Sequence, residues 1–181
     1  MAIEGRKTDP PLIQRLLKEP YLFSFFQAVY LIEKYSSLLS EIRYVGNTGP
    51  AELESIRFKP DASLAFPVSD IVSIEKIRDL PPRFQITTSF LGLYGSDSPL
   101  PDFYTEDIIR SDPEESYVKD FLDIFHHRIL SLFYRCWLKY RYYLQFAAEG
   151  KDEFSQYIFN LMGIGTEGII ENLKIHPVRL I

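Results

Sequence analysis

The chain has 181 residues, of which 46% are hydrophobic, 15% aromatic and 25% charged, with a formal net charge of −5. This composition is typical of a globular domain and excludes a disordered or low-complexity protein. The negative charge provides no general attraction to nucleic acid or to an anionic membrane. A single cysteine, Cys136, excludes an internal disulfide and a multi-cysteine zinc site.

No targeting or membrane-spanning pattern is recognisable in the N-terminal part. The opening residues, MAIEGRKTDPPL, lack the apolar core of a signal peptide. The longest uncharged run of the first helical region, residues 21–32, is too short to span a bilayer. These features predict a cytoplasmic protein without direct membrane insertion.

Residues 11–40 are predicted to be helical. A short amphipathic pattern ends before Pro20, which disfavours a helical conformation in the residue before it. Ser24 and Gln27 have the spacing of a capping box and predict the start of a second helix. The GNTGP segment at residues 46–50 is typical of a turn and closes this helical part.

The pattern changes to alternation in residues 54–92 and predicts a small sheet. Ile56 and Phe58 alternate with charged residues, and residues 84–90 alternate over a longer run. Because the links between these runs are too short for helical crossovers, we predict a mostly antiparallel sheet.

A loop rich in glycine and proline is predicted over residues 92–104. Gly92 and Gly95 permit backbone angles that other residues rarely adopt, and Pro101 restricts the chain that follows. Thr105 is predicted to cap a short helix after the loop. The loop is therefore expected to have a defined shape.

One long helix is predicted over residues 113–147. Asp112 is a suitable N-cap, Pro113 suits the first helical position, and the next strong stop is Gly150. At 100° per residue, ten mostly apolar side chains share one broad arc, which we predict faces the core: Val118, Leu122, Phe125, Ile129, Leu132, Phe133, Cys136, Trp137, Tyr140 and Leu144. This arrangement predicts that Trp137 is a core residue and that Cys136 is a buried thiol.

A shorter C-terminal helix is predicted over residues 152–162, ended by Gly163. The elements together predict a single domain over residues 1–181 with an α+β fold. It has N-terminal helices, a small mostly antiparallel sheet, a long central helix and a shorter C-terminal helix.

The chemical motifs of the chain are weak. Gly163, Gly165 and Gly168 match G-x-G-x-x-G, but a helical pattern precedes them, whereas a dinucleotide loop follows a strand. Two alternatives to a purely structural role stay open. A hydrolase could use Asp123 and His127 with a hydroxyl of Ser96 or Ser98, and a nucleic-acid module could use the basic stripe Arg128, Arg135 and Lys139.

Four stretches resemble the TssG family (also called ImpH or VasB), a baseplate component of the bacterial type VI secretion system. The stretches are FFQAVYLIE (residues 25–33), SIRFKPDASLAFP (55–67), FLGLYGSDSPLPDFYTE (90–106) and FLDIFHHRILSLFYRCWLKYR (121–141). The last two are the most specific, because their glycine, proline, basic and aromatic positions occur in the family's order and spacing.

The resemblance implies a non-enzymatic structural subunit with no catalytic residues, cofactor, metal or small-molecule substrate and no nucleic-acid partner. It implies a hetero-oligomer in which TssF, TssE and TssK form baseplate wedges with this subunit, docked through the secretion assembly at the inner face of the bacterial inner membrane. TssF is the first partner expected, because the family's TssK-contacting loops belong to a later portion than this chain covers. The residues singled out for an interface or structural motif are Gly92, Gly95, Leu100, Pro101, Tyr104, Thr105, Arg128, Tyr134, Arg135, Trp137, Lys139 and Arg141.

Overall fold

The structure is a computed structural model that describes residues 10–41, 44–50, 53–79, 81–111, 116–146 and 152–165. Its residues fall into two compact units, residues 1–135 and residues 136–181. The helices are α1 (Pro11–Lys18), α2 (Phe25–Leu39), α3 (Asp102–Arg110), α4 (Tyr117–Lys139), α5 (Tyr142–Gln145) and α6 (Glu153–Leu161), and the strands are β1 (Ile56–Pro60), β2 (Ile71–Asp79) and β3 (Pro82–Thr88). A short 3-10 helix at Pro20–Leu22 joins α1 to α2. These elements confirm the α+β class, and the single domain over residues 1–181 stays a prediction.

The N-terminal helices form where their local signals predict. The helix α1 ends two residues before Pro20. The hydroxyl of Ser24 accepts a hydrogen bond from the N–H of Gln27, and the side chain of Gln27 accepts one from the N–H of Ser24, each over 3.4 Å. This reciprocal pair satisfies two amides that the first turn of α2 would otherwise leave unpaired.

The sheet has the strand order β1-β3-β2 and is mixed. The β2–β3 pair is antiparallel, as predicted, but β1 and β3 are parallel, with Phe58 opposite Ile86. The prediction of a mostly antiparallel sheet missed this parallel pair because β2 itself lies within the connection between β1 and β3. That connection is long enough for the chain to reverse direction twice without a crossover helix.

The core of the first unit lies between the N-terminal helices and the sheet. Phe25 is at its centre, and its ring centroid lies 5.4 Å from that of Phe58 and 5.1 Å from that of Phe90. Apolar side chains from α1, α2 and all three strands are buried with it: Ile13, Leu16, Val29, Ile32, Ile56, Ile71, Ile74, Phe84 and Ile86.

The predicted helix over residues 113–147 is shorter and interrupted. The helix α4 begins at Tyr117, after the non-helical Ser116, and the chain leaves the helical conformation at residues 140–141 before α5. The predicted N-cap Asp112 and the predicted stop Gly150 lie outside the described residues.

Side chains satisfy the carbonyl groups at the end of α4. The guanidinium group of Arg141 donates a hydrogen bond to the carbonyl of Trp137 over 3.2 Å. The carbonyl of Leu138 accepts the N–H of Arg141 over 2.9 Å and the side-chain amide of Gln145. The helix can therefore end without the glycine or proline that a sequence pattern would need to show the break.

The second unit contains α6, which agrees with the predicted helix over residues 152–162. The carboxylate of Asp152 accepts a hydrogen bond from the N–H of Ser155 over 3.0 Å at the N-terminus. Gly163, with a φ of 76°, follows the C-terminus in the left-handed conformation that glycine favours. Among the described residues, no helix combines the length and the apolar character needed to cross a bilayer.

Candidate interaction surface

The buried face of α4 is mostly polar. Its buried residues are Asp123, His126, Leu130, Ser131 and Tyr134. Buried polar side chains need hydrogen-bond partners, because an unpaired buried polar group costs about 1–3 kcal/mol. Segments from elsewhere in the first unit provide partners for Asp123, His126 and Tyr134, and these contacts face α4 inward on that side. The hydroxyl of Ser131 donates instead to the carbonyl of His127 within α4.

The opposite face of α4 is apolar and largely exposed, so the prediction that the whole arc faces the core is wrong. Phe133, at the edge of the arc, does contact the core, since its ring centroid lies 6.3 Å from that of Phe25 and 6.0 Å from that of Phe90. Cys136 is exposed as well, which corrects the prediction of a buried thiol, and Trp137 is only half-buried. Five apolar side chains of the first unit lie within an arc of about 80° at 100° per residue. We call them the apolar face of α4, and each is 40–60% exposed: Val118, Phe121, Phe125, Ile129 and Leu132.

Asp123 and His126 hold the loop that follows β3. The hydroxyl of Tyr94 donates a hydrogen bond to Oδ1 of Asp123 over 2.6 Å. Nε2 of His126 accepts a hydrogen bond from the N–H of Leu93. The proton of the neutral ring then lies on Nδ1, which is 3.7 Å from Oδ1 of Asp123. One turn of α4 therefore fixes two consecutive loop residues.

The charge of Asp123 is stabilised within this cluster. Burial alone would raise the pKa of Asp123, but the approach of His126, the hydrogen bond from Tyr94 and the positive charge of Lys59 together lower it below its usual value. Nζ of Lys59 lies 4.0 Å from Oδ2 of Asp123. Burial and the neighbouring carboxylate raise the pKa of Tyr94, so its hydroxyl keeps its proton as a hydrogen-bond donor.

His127 has different partners from Asp123. Its Nδ1 accepts a hydrogen bond from the N–H of Phe58 over 3.3 Å, and its Nε2 lies 3.0 Å from a carboxylate oxygen of Glu54. Burial lowers the pKa of His127, although Glu54 opposes this shift, and a neutral ring with its proton on Nε2 satisfies both contacts. The hydroxyl of Ser98 donates to the carbonyl of Leu93 over 2.6 Å. These hydrogen bonds hold the loop and β1 in place, and they do not join Asp123, His127 and Ser98 into one catalytic cluster.

Tyr134 connects α4 to α2. Its hydroxyl donates a hydrogen bond to Oε2 of the buried Glu33 over 2.9 Å, while Oε1 of Glu33 accepts the N–H of Val45 over 2.7 Å. Burial raises the pKa of Glu33, and these hydrogen bonds oppose the shift. Tyr134 was singled out from the sequence, and the structure gives it a role in internal packing.

Arg128 and Arg135 converge on one backbone carbonyl. Their guanidinium groups donate hydrogen bonds to the carbonyl of Gly46 over 3.1 and 2.9 Å. Gly46 has a φ of 78°, and a Cβ atom there would lie 2.6 Å from Cδ of Arg135. Two members of the basic stripe therefore fix the turn after α2. Lys139, the third member, is exposed in the last turn of α4, in the second unit.

The glycine and proline loop after β3 is packed closely against its surroundings. Gly95 has a φ of 107°, and a Cβ atom there would lie 2.7 Å from the carbonyl oxygen of Asp61. A Cβ atom on Gly92 would overlap the carbonyl oxygen of Tyr94. The N–H of Leu100 donates to the hydroxyl of Ser98 over 3.0 Å. These contacts restrict the backbone at Gly92 and Gly95, and the defined shape expected of this loop stays a prediction.

The helix after this loop starts earlier than predicted. Pro101 is the N-cap of α3, and Thr105 lies inside the helix, so the prediction that Thr105 caps it is wrong. The hydroxyl of Thr105 instead accepts a hydrogen bond from the N–H of Gly95 over 3.1 Å. Phe103 and Tyr104 are exposed on α3, with ring centroids 4.2 Å apart.

In the second unit, the guanidinium group of Arg141 lies 4.2 Å from the ring centroid of Trp137, a cation–π contact.

Sequence reasoning missed Glu33, Gly46 and Tyr94 as partners of α4. The available signals were a carboxylate within an apolar helix and a glycine in a turn, and neither identifies its distant partner.

A family match covers most of the chain. The sequence profile described as "Type VI secretion, TssG" matches residues 19–180. The chain belongs to the TssG family. No curated protein and no solved structure matches it. The resemblance carried by the four stretches is therefore confirmed, and this TssG-family protein is assigned to the type VI secretion system. The apolar face of α4 lies within the family-matched region, and its side chains take no part in the hydrogen bonds that orient the helix.

Proposed function

We propose that the protein is a structural subunit of the type VI secretion baseplate wedge and that a neighbouring subunit packs on the apolar face of α4. Membership of the TssG family supports the assembly role. The exposure of five large apolar side chains on one side of one helix supports the location of the contact. Contiguous exposed apolar patches of this kind mark protein interfaces.

The internal hydrogen bonds of α4 explain why the apolar face stays outward. A rotation of the helix that buried Phe125 would remove Asp123 from Tyr94 and Tyr134 from Glu33. Leaving such buried groups unpaired costs about 1–3 kcal/mol each, which opposes the gain from burying apolar surface. A second chain can cover the apolar face without breaking these hydrogen bonds.

The proposed assembly is a hetero-oligomer with TssF as the first partner and with TssE and TssK in the same wedge. We place it in the cytoplasm, docked through the secretion assembly at the inner face of the inner membrane. The proposed role is non-enzymatic, because it depends on contacts between subunits and requires no chemical reaction. Arg128 and Arg135 both donate hydrogen bonds to the carbonyl of Gly46 within the chain. Because these guanidinium groups are already engaged, they favour a protein interface over nucleic-acid binding as the function.

Co-expression with TssF tests this proposal. We expect affinity purification followed by size-exclusion chromatography with light scattering to recover a defined complex, and Phe125→Glu to prevent its formation because the change places a charge within the apolar face. Leu38→Glu is the matched control, because Leu38 is an 84% exposed apolar residue on α2. The Leu38→Glu chain should keep the complex.

Two results would contradict the proposal. One is that the chain stays monomeric and does not bind TssF although both chains are folded. The other is a complex that Phe125→Glu and Leu38→Glu affect equally, which would remove α4 from the interface. Circular dichroism of each variant shows whether its helices are intact.

A further inference from the structure

A groove of about 280 Å³ lies beside the loop that connects β1 to β2. Asp61 lines it and is the one charged residue among its lining residues. Phe66 and Val68 stand at its side and are 90% and 97% exposed. The volume is just below the range of about 300–1,000 Å³ that is typical of pockets for drug-sized ligands, so it suits one large side chain.

The groove offers hydrogen-bond acceptors. The hydroxyl of Ser69 donates its proton to the carbonyl of Ile71 over 2.7 Å, and the hydroxyl of Ser89 donates to the carbonyl of Ser69 over 2.6 Å. With their protons used internally, these two hydroxyls of the groove lining can serve only as hydrogen-bond acceptors for a ligand. The carboxylate of Asp61 adds two further acceptor oxygens and forms no ion pair with the residues that the structure describes.

We propose that this groove receives an arginine side chain from a neighbouring protein subunit. A guanidinium group has five N–H donors and a positive charge, which match the carboxylate of Asp61 and the oxygens of Ser69 and Ser89. Its planar face suits contact with the ring of Phe66. The inference deepens the proposed function, on which it rests, by giving the chemistry of a second contact.

The surrounding surface favours a different subunit over a second copy or a free small molecule. The chain has a net charge of −5, and Asp70 and Asp97 are exposed next to the lining residues Ser69 and Ser96, so a basic segment is complementary to this side of the molecule. Val68 and Phe66 would remain exposed around a free arginine. A protein segment that carries the arginine can cover both of them.

Titration with N-acetyl-arginine amide, followed by NMR of the backbone amides, tests the inference on the full chain without TssF. We expect saturable shifts confined to the groove, including the amides of Ser69 and Ser89. N-acetyl-citrulline amide, a neutral probe of nearly the same shape, should leave these signals unchanged. Asp61→Asn should weaken the binding by about tenfold, since it removes a charged acceptor.

Asp70→Asn is the control, because it removes one charge beside the groove without altering the groove's lining; it should weaken the binding clearly less than Asp61→Asn does. Phe66→Ala provides a second variant that is expected to fold normally, since the ring is exposed, and it should weaken the binding several-fold. Equal shifts with the citrulline probe, or equal affinities of the Asp61→Asn and Asp70→Asn chains, would overturn the inference.

Self-association that Asp61→Asn abolishes would also overturn it, by assigning the arginine to a second copy. Failure of the arginine probe leaves the α4 interface standing if Phe125→Glu still prevents the complex with TssF. The two proposals therefore fail separately.

Discussion

The helices α2 and α4 bury opposite kinds of side chain, although both are rich in apolar residues. The helix α2 directs Phe25, Val29 and Ile32 into the core. In contrast, α4 directs Asp123 and Tyr134 inward and leaves its apolar face exposed. An apolar stripe therefore identifies the side of a helix that something covers, but it does not show whether the covering atoms belong to the same chain.

The largest expected effect comes from the buried side of α2. Phe25→Ala should lower the free energy of unfolding by about 3–5 kcal/mol, because it leaves a cavity among the rings of Phe58 and Phe90. Urea unfolding of the isolated chain measures this change. A loss below about 1 kcal/mol would show that Phe25 is not part of a close-packed core.

The polar side of α4 should also stabilise the chain. Tyr134→Phe removes the hydroxyl that donates to the buried Glu33, so the free energy of unfolding should fall by about 1–3 kcal/mol. The control is Tyr140→Phe, since Tyr140 is 82% exposed and its hydroxyl faces solvent. If both changes have the same effect in urea unfolding, the buried polar face of α4 does not stabilise the fold.

A smaller effect should depend on pH. Burial lowers the pKa of His127 below 6.5, so the unfolded chain binds a proton at pH values where the folded ring stays neutral. Stability therefore falls as the pH drops below about 6.5, by at most about 1.4 kcal/mol per pH unit from this group. His127→Asn keeps an acceptor near the N–H of Phe58 but cannot titrate.

The free energy of unfolding at about pH 7.5 and about pH 5.5 should differ less for the His127→Asn chain than for the original. Comparing the two chains removes the contributions of Glu33 and other carboxylates, which both share. Identical pH dependence would mean that His127 is not buried as a neutral ring.

The smallest effect on the isolated chain is expected on the apolar face of α4. Phe125→Ala should change the free energy of unfolding by less than about 1 kcal/mol, because the ring is 47% exposed. The same substitution should weaken the complex with TssF. If Phe125→Ala lowered the free energy of unfolding as much as Phe25→Ala does, α2 and α4 would not differ in how far their apolar side chains stabilise the fold.

Local signals predicted most of the element order. The capping box of Ser24 and Gln27, the stop before Pro20 and the alternation through Ile56 and Phe58 each act over a few residues, and all three agree with the structure. The left-handed Gly95 also follows from its residue type and its place in a loop.

The orientation of α4 could not be predicted in the same way. It depends on partners far away in the chain, such as Glu33, which lies 101 residues before Tyr134. Helical periodicity ranks the faces by hydrophobicity, and it gave the wrong answer here because buried hydrogen bonds determined the orientation. The interruption of the helix after Lys139 could not be predicted from the sequence either. The side chains of Arg141 and Gln145 satisfy the carbonyl groups there, so no glycine or proline is needed.

The contact between His127 and Phe58 has a consequence for aggregation. In the part of the chain that the structure describes, β1 pairs with β3 on one side only, so its other side is a sheet edge. Unpaired amides along such an edge can recruit a strand from another molecule. On this edge, the N–H of Phe58 donates a hydrogen bond to the ring of His127. This contact therefore removes one amide of the β1 edge from those that could pair with a strand of another molecule.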